Sequence, residues 1–452
     1  MRSSESSRIE KTAKRQRLWV TLLMGVLCLL LTACSGNSGN DSTGNQDGDG
    51  DNPRAVTGEP GTEKTKKNRA FFDYFMCSAM VTETFAFLPA RNGGGARYFD
   101  VASRTDVLFC FEPNCEHQGW KLDPWKNTWY GDHCAAHSLG NDAFYLTDEC
   151  GYYFDWPNLI RTDRQGLNQK TIGKVDEPLD FQIFELYTDE YYCSAFTIAY
   201  EHTQVTEPSG EVTWQMGERL EKEVAGIVVV SLTDGTSRII FRDGEHYNER
   251  VTDLYEYEGH LYFNEFYIDV PFESLRQYND DLSDWQEVDL ENRKYQHVVL
   301  YDYDFASGEL RKIFQRDGDG HGFRFGDGYI LQQSDNITGE GAKLYRLDGV
   351  LICDLPWAVS DCVMTDGTPI LSSWDSGVAK YRMYDIGKGE VLREVDVPDG
   401  SFGLRAAVGD SYYGMVAGNW SDGTHAAYIA AEDFWNGAFD RAVVFHVGPE
   451  EE

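Results

Sequence analysis

Basic charge is scarce in this sequence. Forty Lys and Arg residues stand against 75 Asp and Glu, a net charge of −35 over 452 residues, and a surface of that sign repels phosphate backbones. Nucleic acid is thereby excluded as a partner. From about residue 70 onward no stretch sustains apolar residues at i, i+3, i+4 and i+7, so helix is expected to be minor. The apolar run Leu18–Leu31 is short for a membrane span, which needs about 20 residues. Missing as well are a Gly-x-Ser-x-Gly elbow, a His-Glu-x-x-His zinc helix and a Gly-Lys-Ser/Thr phosphate loop, so no local motif announces catalysis. Aromatic residues are plentiful instead: 26 Tyr, 25 Phe and 11 Trp. Bulky rings favour a pleated surface, which points to many short, half-buried strands.

The N-terminus carries an address. Arg2, Arg8, Lys11, Lys14, Arg15 and Arg17 precede the apolar run, forming the charged and apolar regions of a signal sequence. Leu31-Thr32-Ala33-Cys34 then resembles the lipobox of bacterial lipoproteins, where a small residue precedes a cysteine that is diacylated before cleavage in front of it. The resemblance implies a signal peptide over residues 1–33, palmitate-type acylation of Cys34, and attachment to the cell membrane facing outward. Two acyl chains suffice for stable anchoring, since each buried CH₂ contributes about 0.8 kcal/mol. Residues 34–69 hold almost no large apolar group and read as a disordered tether. Within it Asp47-Gly-Asp-Gly-Asp51 alternates oxygens as a calcium loop does, but the twelfth position is Gly58 and Glu59 falls one residue late, against the EF-hand pattern.

From residue 70 to 452 one unit recurs: a turn, an aromatic-rich strand, a connection, a second strand ending near Asp, another turn, a third strand. The first strand is seen at Thr84–Phe87, Asp142–Tyr145, Asp189–Tyr192, Gly259–Tyr262, Asp327–Ile330, Gly367–Ile370 and Asp410–Tyr413. Its partner follows at Arg97–Asp100, Leu159–Asp163, Ile227–Val230, Val299–Asp302, Leu344–Asp348, Tyr381–Asp385 and Ala427–Ala430. Turns such as Thr233-Asp234-Gly235-Thr236 and Ala306-Ser307-Gly308-Glu309 predict antiparallel hairpins. The period of about 55 residues exceeds the 40 to 50 of a propeller blade, and insertions near 118–133, 202–224 and 270–296 account for the excess. A closed ring that stacks each sheet on its neighbours removes the long exposed edges. The expected fold is an all-β β-propeller of about seven blades, six and eight being the adjacent counts. Leu159–Ile172 and Leu344-Tyr-Arg-Leu-Asp-Gly349 resemble repeats of propeller lipoproteins related to the low-density-lipoprotein-receptor type, whose propeller has six blades. The Tyr-Trp-Thr-Asp signature of that type is absent here.

Of ten cysteines, eight remain once Cys28 leaves with the signal and Cys34 is acylated, enough for four disulfides outside the membrane. Cys110, Cys115, His117 and Cys134 are also ligands of the kind that close a structural zinc site. Disulfide, zinc and free thiol remain open alternatives. The segment Leu108–His117 with Cys134-Ala-Ala-His137 is similar to a cysteine-histidine element of uncharacterised surface lipoproteins of Gram-positive anaerobes. Between these cysteines, Trp120, Trp125 and Trp129 offer ring faces for stacking on a ligand, or rings for a miniature core. Ser373-Trp374-Asp375-Ser376-Gly377 resembles the start of the Asp box of sialidase-type propellers, a turn rather than an active site. Acidic pairs such as Asp253 with Glu256 and Asp280 with Asp281 are not distinguished by context. Three functions are open: a surface binding platform for a glycan, peptide or envelope protein, a carbohydrate-active enzyme using channel-mouth carboxylates, or a structural subunit of an envelope complex.

Overall fold

The structure is a computed structural model that describes residues 145–444 with short interruptions, and the backbone of strands lying between residues 69 and 131. Strands β1 to β5 (Arg69–Asp73, Cys77–Val81, Phe85–Leu88, Arg97–Asp100 and Thr105–Leu108) pair in sequence order as a five-stranded antiparallel sheet. A hairpin, β6 and β7 (Trp120–Asp123 and Thr128–Gly131), follows.

Six four-stranded antiparallel sheets come next. They are β8 to β11 (Tyr145–Leu146, Cys150–Asp155, Asn158–Asp163, Lys170–Lys174), β12 to β15 (Phe181–Tyr187, Tyr191–Thr206, Val212–Ser231, Ser237–Asp243) and β16 to β19 (Tyr247–Tyr257, His260–Ile268, Gln296–Asp304, Leu310–Asp317). Then follow β20 to β23 (Phe323–Gly326, Tyr329–Gln332, Lys343–Arg346, Leu351–Asp354), β24 to β27 (Asp361–Thr365, Thr368–Asp375, Val378–Asp385, Glu390–Pro398) and β28 to β31 (Gly403–Val408, Ser411–Ala417, Thr424–Ala430, Val443–Val444). The first strands β12, β16, β20, β24 and β28 lie side by side in succession, the arrangement of a β-propeller. Among the described residues helix is confined to short pieces such as α1 (Trp285–Asn292), inside the expected 270–296 insertion, and α2 (Ala431–Trp435).

Six four-stranded blades, rather than seven, are present among the described residues. The repeat expected from sequence is real but out of phase with the blade. Its anchor copies at Tyr191–Tyr192, Leu261–Tyr262, Ile330, Ile370 and Tyr412–Tyr413 fall on the second strand of their blades. Tyr145 instead falls on a first strand, and the matching second strand there is β9. Several first strands are only two to four residues long, as in Tyr145-Leu146 and Phe323-Arg-Phe-Gly326, too short for a periodic signal to set the blade's phase.

Aromatic rings fill the joints between blades. Tyr145 stacks on Tyr187 at 4.9 Å and Phe154 on Tyr192 at 5.0 Å, linking the β8–β11 blade to its successor. Tyr191 stacks on Phe305 at 4.7 Å, and Phe241 meets both Phe263 at 5.1 Å and Tyr301 at 5.3 Å across the next joint. Ring pairs contribute about 0.5–1.5 kcal/mol beyond their burial, so the aromatic surplus of the composition is used where sheet faces meet.

The turn glycines show a second contact between blades. Gly235, Gly308 and Gly389 close equivalent third-to-fourth-strand turns at φ near +72°, +73° and +70°, each donating its N–H to a carbonyl four residues back. A Cβ on Gly308 would meet nothing nearer than the Tyr303 hydroxyl at 3.8 Å, whereas one on Gly235 would lie 1.5 Å from the carbonyl oxygen of Ile172 in β11. Gly308→Ala should therefore cost about 1–2 kcal/mol from left-handed strain alone. Gly235→Ala should cost markedly more, because the backbone of the preceding blade must also move. Urea unfolding midpoints of the two variants check this; equal losses would show that the blades do not meet at Gly235.

Candidate functional site

In an up-and-down sheet, second-to-third-strand connections and the passage from a fourth strand to the next blade lie at one end. That end receives three elaborations here. Strands β13 and β14 run to 16 and 20 residues, so their far halves project as a largely exposed ribbon. The β17–β18 connection holds α1, whose neighbour Arg276 is pinned to Glu287 at 2.7 Å and Glu291 at 2.9 Å. Trp156, after β9, is 44% exposed, and Trp374, near the end of β25, is 39% exposed. The ribbon is fastened to the β15–β16 passage: the Tyr247 hydroxyl donates to Glu221 at 3.3 Å, the Asn248 N–H to Glu223 at 2.9 Å, and the Lys222 ammonium to the Glu245 carbonyl at 2.5 Å.

Beneath this passage three carboxylates converge. Asp243 closes β15, Glu249 lies near the start of β16 and Glu265 near the end of β17; one oxygen of each lies within 4.8 Å of the others. Register explains the placement. Val251 pairs with Glu265, so Glu249, two residues earlier, emerges on the same sheet face as Glu265. The ladder slips between Tyr247 and Arg250, where Asn248 takes a φ of +48°; this bulge turns the strand and sets Glu249 inward. That face packs on the blade of β12–β15, whose Ile227, Val229 and Phe241 share a core with Val251, Leu261 and Phe263. The carboxylates cap this core at the elaborated end.

Their surroundings are dry. Glu249 and Glu265 are each 1% exposed. The His246 N–H donates to Glu249 Oε2 at 3.2 Å and the Tyr301 hydroxyl to Glu265 Oε2 at 3.1 Å, while Gly244 and Glu245 N–H groups hold Asp243 Oδ1 at 2.6 and 3.0 Å. The Oε1 atoms of both glutamates are buried without a hydrogen-bond partner. Both carboxyls are pushed above the ordinary range, by burial first and by the negative charge of Asp243 next. Burial first, and then the charge of Glu265, push the Tyr301 phenol upward as well. An all-oxygen set of this kind suits a hard cation and not zinc. Alongside, the His246 ring stacks on Tyr267 at 3.8 Å and Tyr267 on His297 at 4.8 Å, with His297 bridging Asp269 and Asp317 at 2.7 Å each.

The residues singled out from sequence lie elsewhere. Cys34, Cys110, Cys115, His117, Trp125 and Cys134 lie outside the described residues, as do Asp280 and Asp281. Trp120 and Trp129 sit on β6 and β7, where Trp120 pairs with Gly131 and Trp129 with Leu122. Cys150, Cys193 and Cys353 carry no disulfide, so of the alternatives left open for the eight cysteines these three are free thiols. Cys193 is wholly buried, and desolvation pushes its thiol well up, so it is an inert core residue. Asp253 faces Arg324 and Asn264, and Glu256 accepts the Gly259 N–H at 3.0 Å; neither joins the carboxylate cluster. The signal that could have revealed the cluster is Glu265 itself, the one acid in the largely apolar and aromatic strand His260–Ile268.

No protein-family model and no curated protein matches the chain. Among solved structures it is similar to dipeptidyl peptidase 4 of Porphyromonas gingivalis, at 11% identity and a TM-score of 0.45, over 81% of this chain and 58% of that one. It thus spans little more than half the length of that peptidase. It is also similar to an uncharacterized protein of Listeria monocytogenes, at 10% identity and a TM-score of 0.36, over 67% of this chain and 77% of that one. A third likeness is to TolB of Acinetobacter baumannii, at 12% identity and a TM-score of 0.31, over 79% and 76% respectively. The fold therefore rests on the chain's own strand pairing.

A buried acid whose folded pKa is raised contributes stability that is complete below its unfolded pKa, about 4.3 for Glu, and is lost as pH rises toward the folded value. In chelator, the stability of the protein should fall from about pH 4.3 upward through neutrality. Glu249→Gln, which keeps the shape and removes the ionisation, should flatten part of that fall. Urea unfolding across this range checks it; parallel curves for the two proteins would contradict the burial-driven shift.

Proposed function

We propose that the protein is a lipid-anchored, outward-facing surface protein whose propeller serves as a binding platform for an extracytoplasmic glycan, peptide or envelope protein. One observation carries this reading: a single end of the propeller gathers the projecting β13–β14 ribbon, the α1 insertion and the half-exposed Trp156 and Trp374. Exposed rings on a rigid scaffold supply contact area at little entropic cost. The carbohydrate-active alternative needs two carboxylates able to reach a sugar, and the pair that converges, Glu249 with Glu265, is 1% exposed, which favours binding over chemistry.

In this proposal residues 1–33 are the signal peptide, Cys34 is acylated, residues 34–69 are the tether and residues 70–452 the propeller domain. The five-stranded sheet β1–β5, which holds the repeat copy on β3 and β4, supplies a seventh blade. Cys110, Cys115, His117 and Cys134 staple the segment carrying Trp120, Trp125 and Trp129, through disulfides or a structural zinc.

Cys34→Ala should abolish labelling by a palmitate analogue and release the protein from the membrane fraction; a variant still labelled and membrane-bound would end the lipoprotein reading. The mature chain on glycan and peptide arrays should retain a defined ligand class, with Trp374→Ala weakening it by about tenfold, as expected for an anchoring ring. Arrays blank for the wild type, or signals untouched by Trp374→Ala and Trp156→Ala alike, would count against this end as the platform.

A further inference from the structure

We propose that Asp243, Glu249 and Glu265 bind one calcium ion at the joint between the β12–β15 and β16–β19 blades, beneath the ribbon and the α1 insertion. The first support is geometric. Oxygens bound to one calcium at about 2.3–2.6 Å stand no more than about 5 Å apart, and here one oxygen from each carboxylate lies within 4.8 Å of the other two.

The second support is the state of the individual atoms. Both glutamates have one carboxylate oxygen fixed by a donor, Tyr301 or the His246 N–H, and the other buried without a partner. A buried oxygen in that state costs about 1–3 kcal/mol, more if charged, and no Lys, Arg or His among the described residues forms an ion pair with any of the three acids. Protons on both glutamates would relieve the repulsion in the metal-free protein but leave Asp243 with no cationic partner. A divalent cation satisfies all three, and an all-oxygen set with no imidazole or thiolate selects the hard ions. Calcium suits it better than magnesium, because the ligands come from three strands of two blades and need not meet strict octahedral angles.

Contrast within the same strand strengthens the assignment. Asn264, adjacent to Glu265 and fully buried at the opposite joint, is satisfied: its amide donates to Asp253 at 3.1 Å and to the Phe323 carbonyl at 2.8 Å, and accepts from the Phe323 N–H at 3.3 Å. One joint is completed by the chain itself, and the other lacks a positive partner. Bound calcium would fasten the end of β15 to β16 and β17, holding still the passage to which the ribbon is tied through Tyr247 and Asn248. The inference is independent of what the platform binds.

The test uses the mature chain freed of metal by chelator. Calcium should bind with a stoichiometry of one by calorimetry and raise the thermal unfolding midpoint in a saturable way. Terbium should bind in its place with emission sensitised by Tyr301, displaced by calcium and reduced in Tyr301→Phe. Glu249→Gln and Glu265→Gln should weaken calcium binding by at least about tenfold, while Glu287→Gln with Glu291→Gln on exposed α1 should leave it unchanged. Should the Gln variants fail to fold, terbium titration of the wild type and Tyr301→Phe still decides the matter. Absence of a saturable calcium response in the wild type, terbium emission indifferent to Tyr301→Phe, or equal calcium affinity in the Gln variants and the α1 control would overturn the proposal.

Discussion

A four-stranded sheet has two faces to bury and no means of burying either alone. Everything else in this molecule follows from stacking one sheet on the next, face to face, in succession around an axis. The joints are where the apolar free energy is gained, at about 25 cal/mol per Å² removed from water. They are also where the aromatic residues have gone: Tyr145 on Tyr187, Phe154 on Tyr192, Phe241 on Phe263 and Tyr301. Because a joint is filled by the two faces it joins, a side chain's fate depends on which face it leaves.

Residues 264 and 265 show this directly. Successive residues of β17 point to opposite faces, so Asn264 enters the joint with the β20–β23 blade and Glu265 the joint with the β12–β15 blade. Asn264 finds backbone and carboxylate partners waiting. Glu265 finds two further acids. Burying like charges together is tolerated only when protons or a cation compensate them, and this is the physical reason to regard that joint as a site.

The elaborated end is a consequence of the same topology. Insertions in an up-and-down blade cannot enter a packed face; they leave at strand ends. In this chain the long ribbon of β13–β14, the α1 segment and two half-exposed tryptophans all leave at one end, and the acidic cluster sits immediately below them. Ligand contact and structural fastening would then be separate tasks of neighbouring residues.

The sequence by itself determined the class of fold. Alternating aromatic strands, Gly-containing turns and a period of about 55 residues, somewhat longer than the usual blade, are local signals that survive in any context. They sufficed for a propeller, for the positions of its insertions and for turns such as the one at Gly235. Only the tertiary structure decided the rest. Blade phase was hidden because first strands like Phe323–Gly326, four residues long, are too short to stand out from turn segments. Thiol status at Cys150, Cys193 and Cys353 was hidden because pairing depends on which strands meet. The carboxylate cluster was hidden among 75 acidic residues because Asp243, Glu249 and Glu265 come from three strands of two blades, and their nearness exists only where one sheet face lies against another.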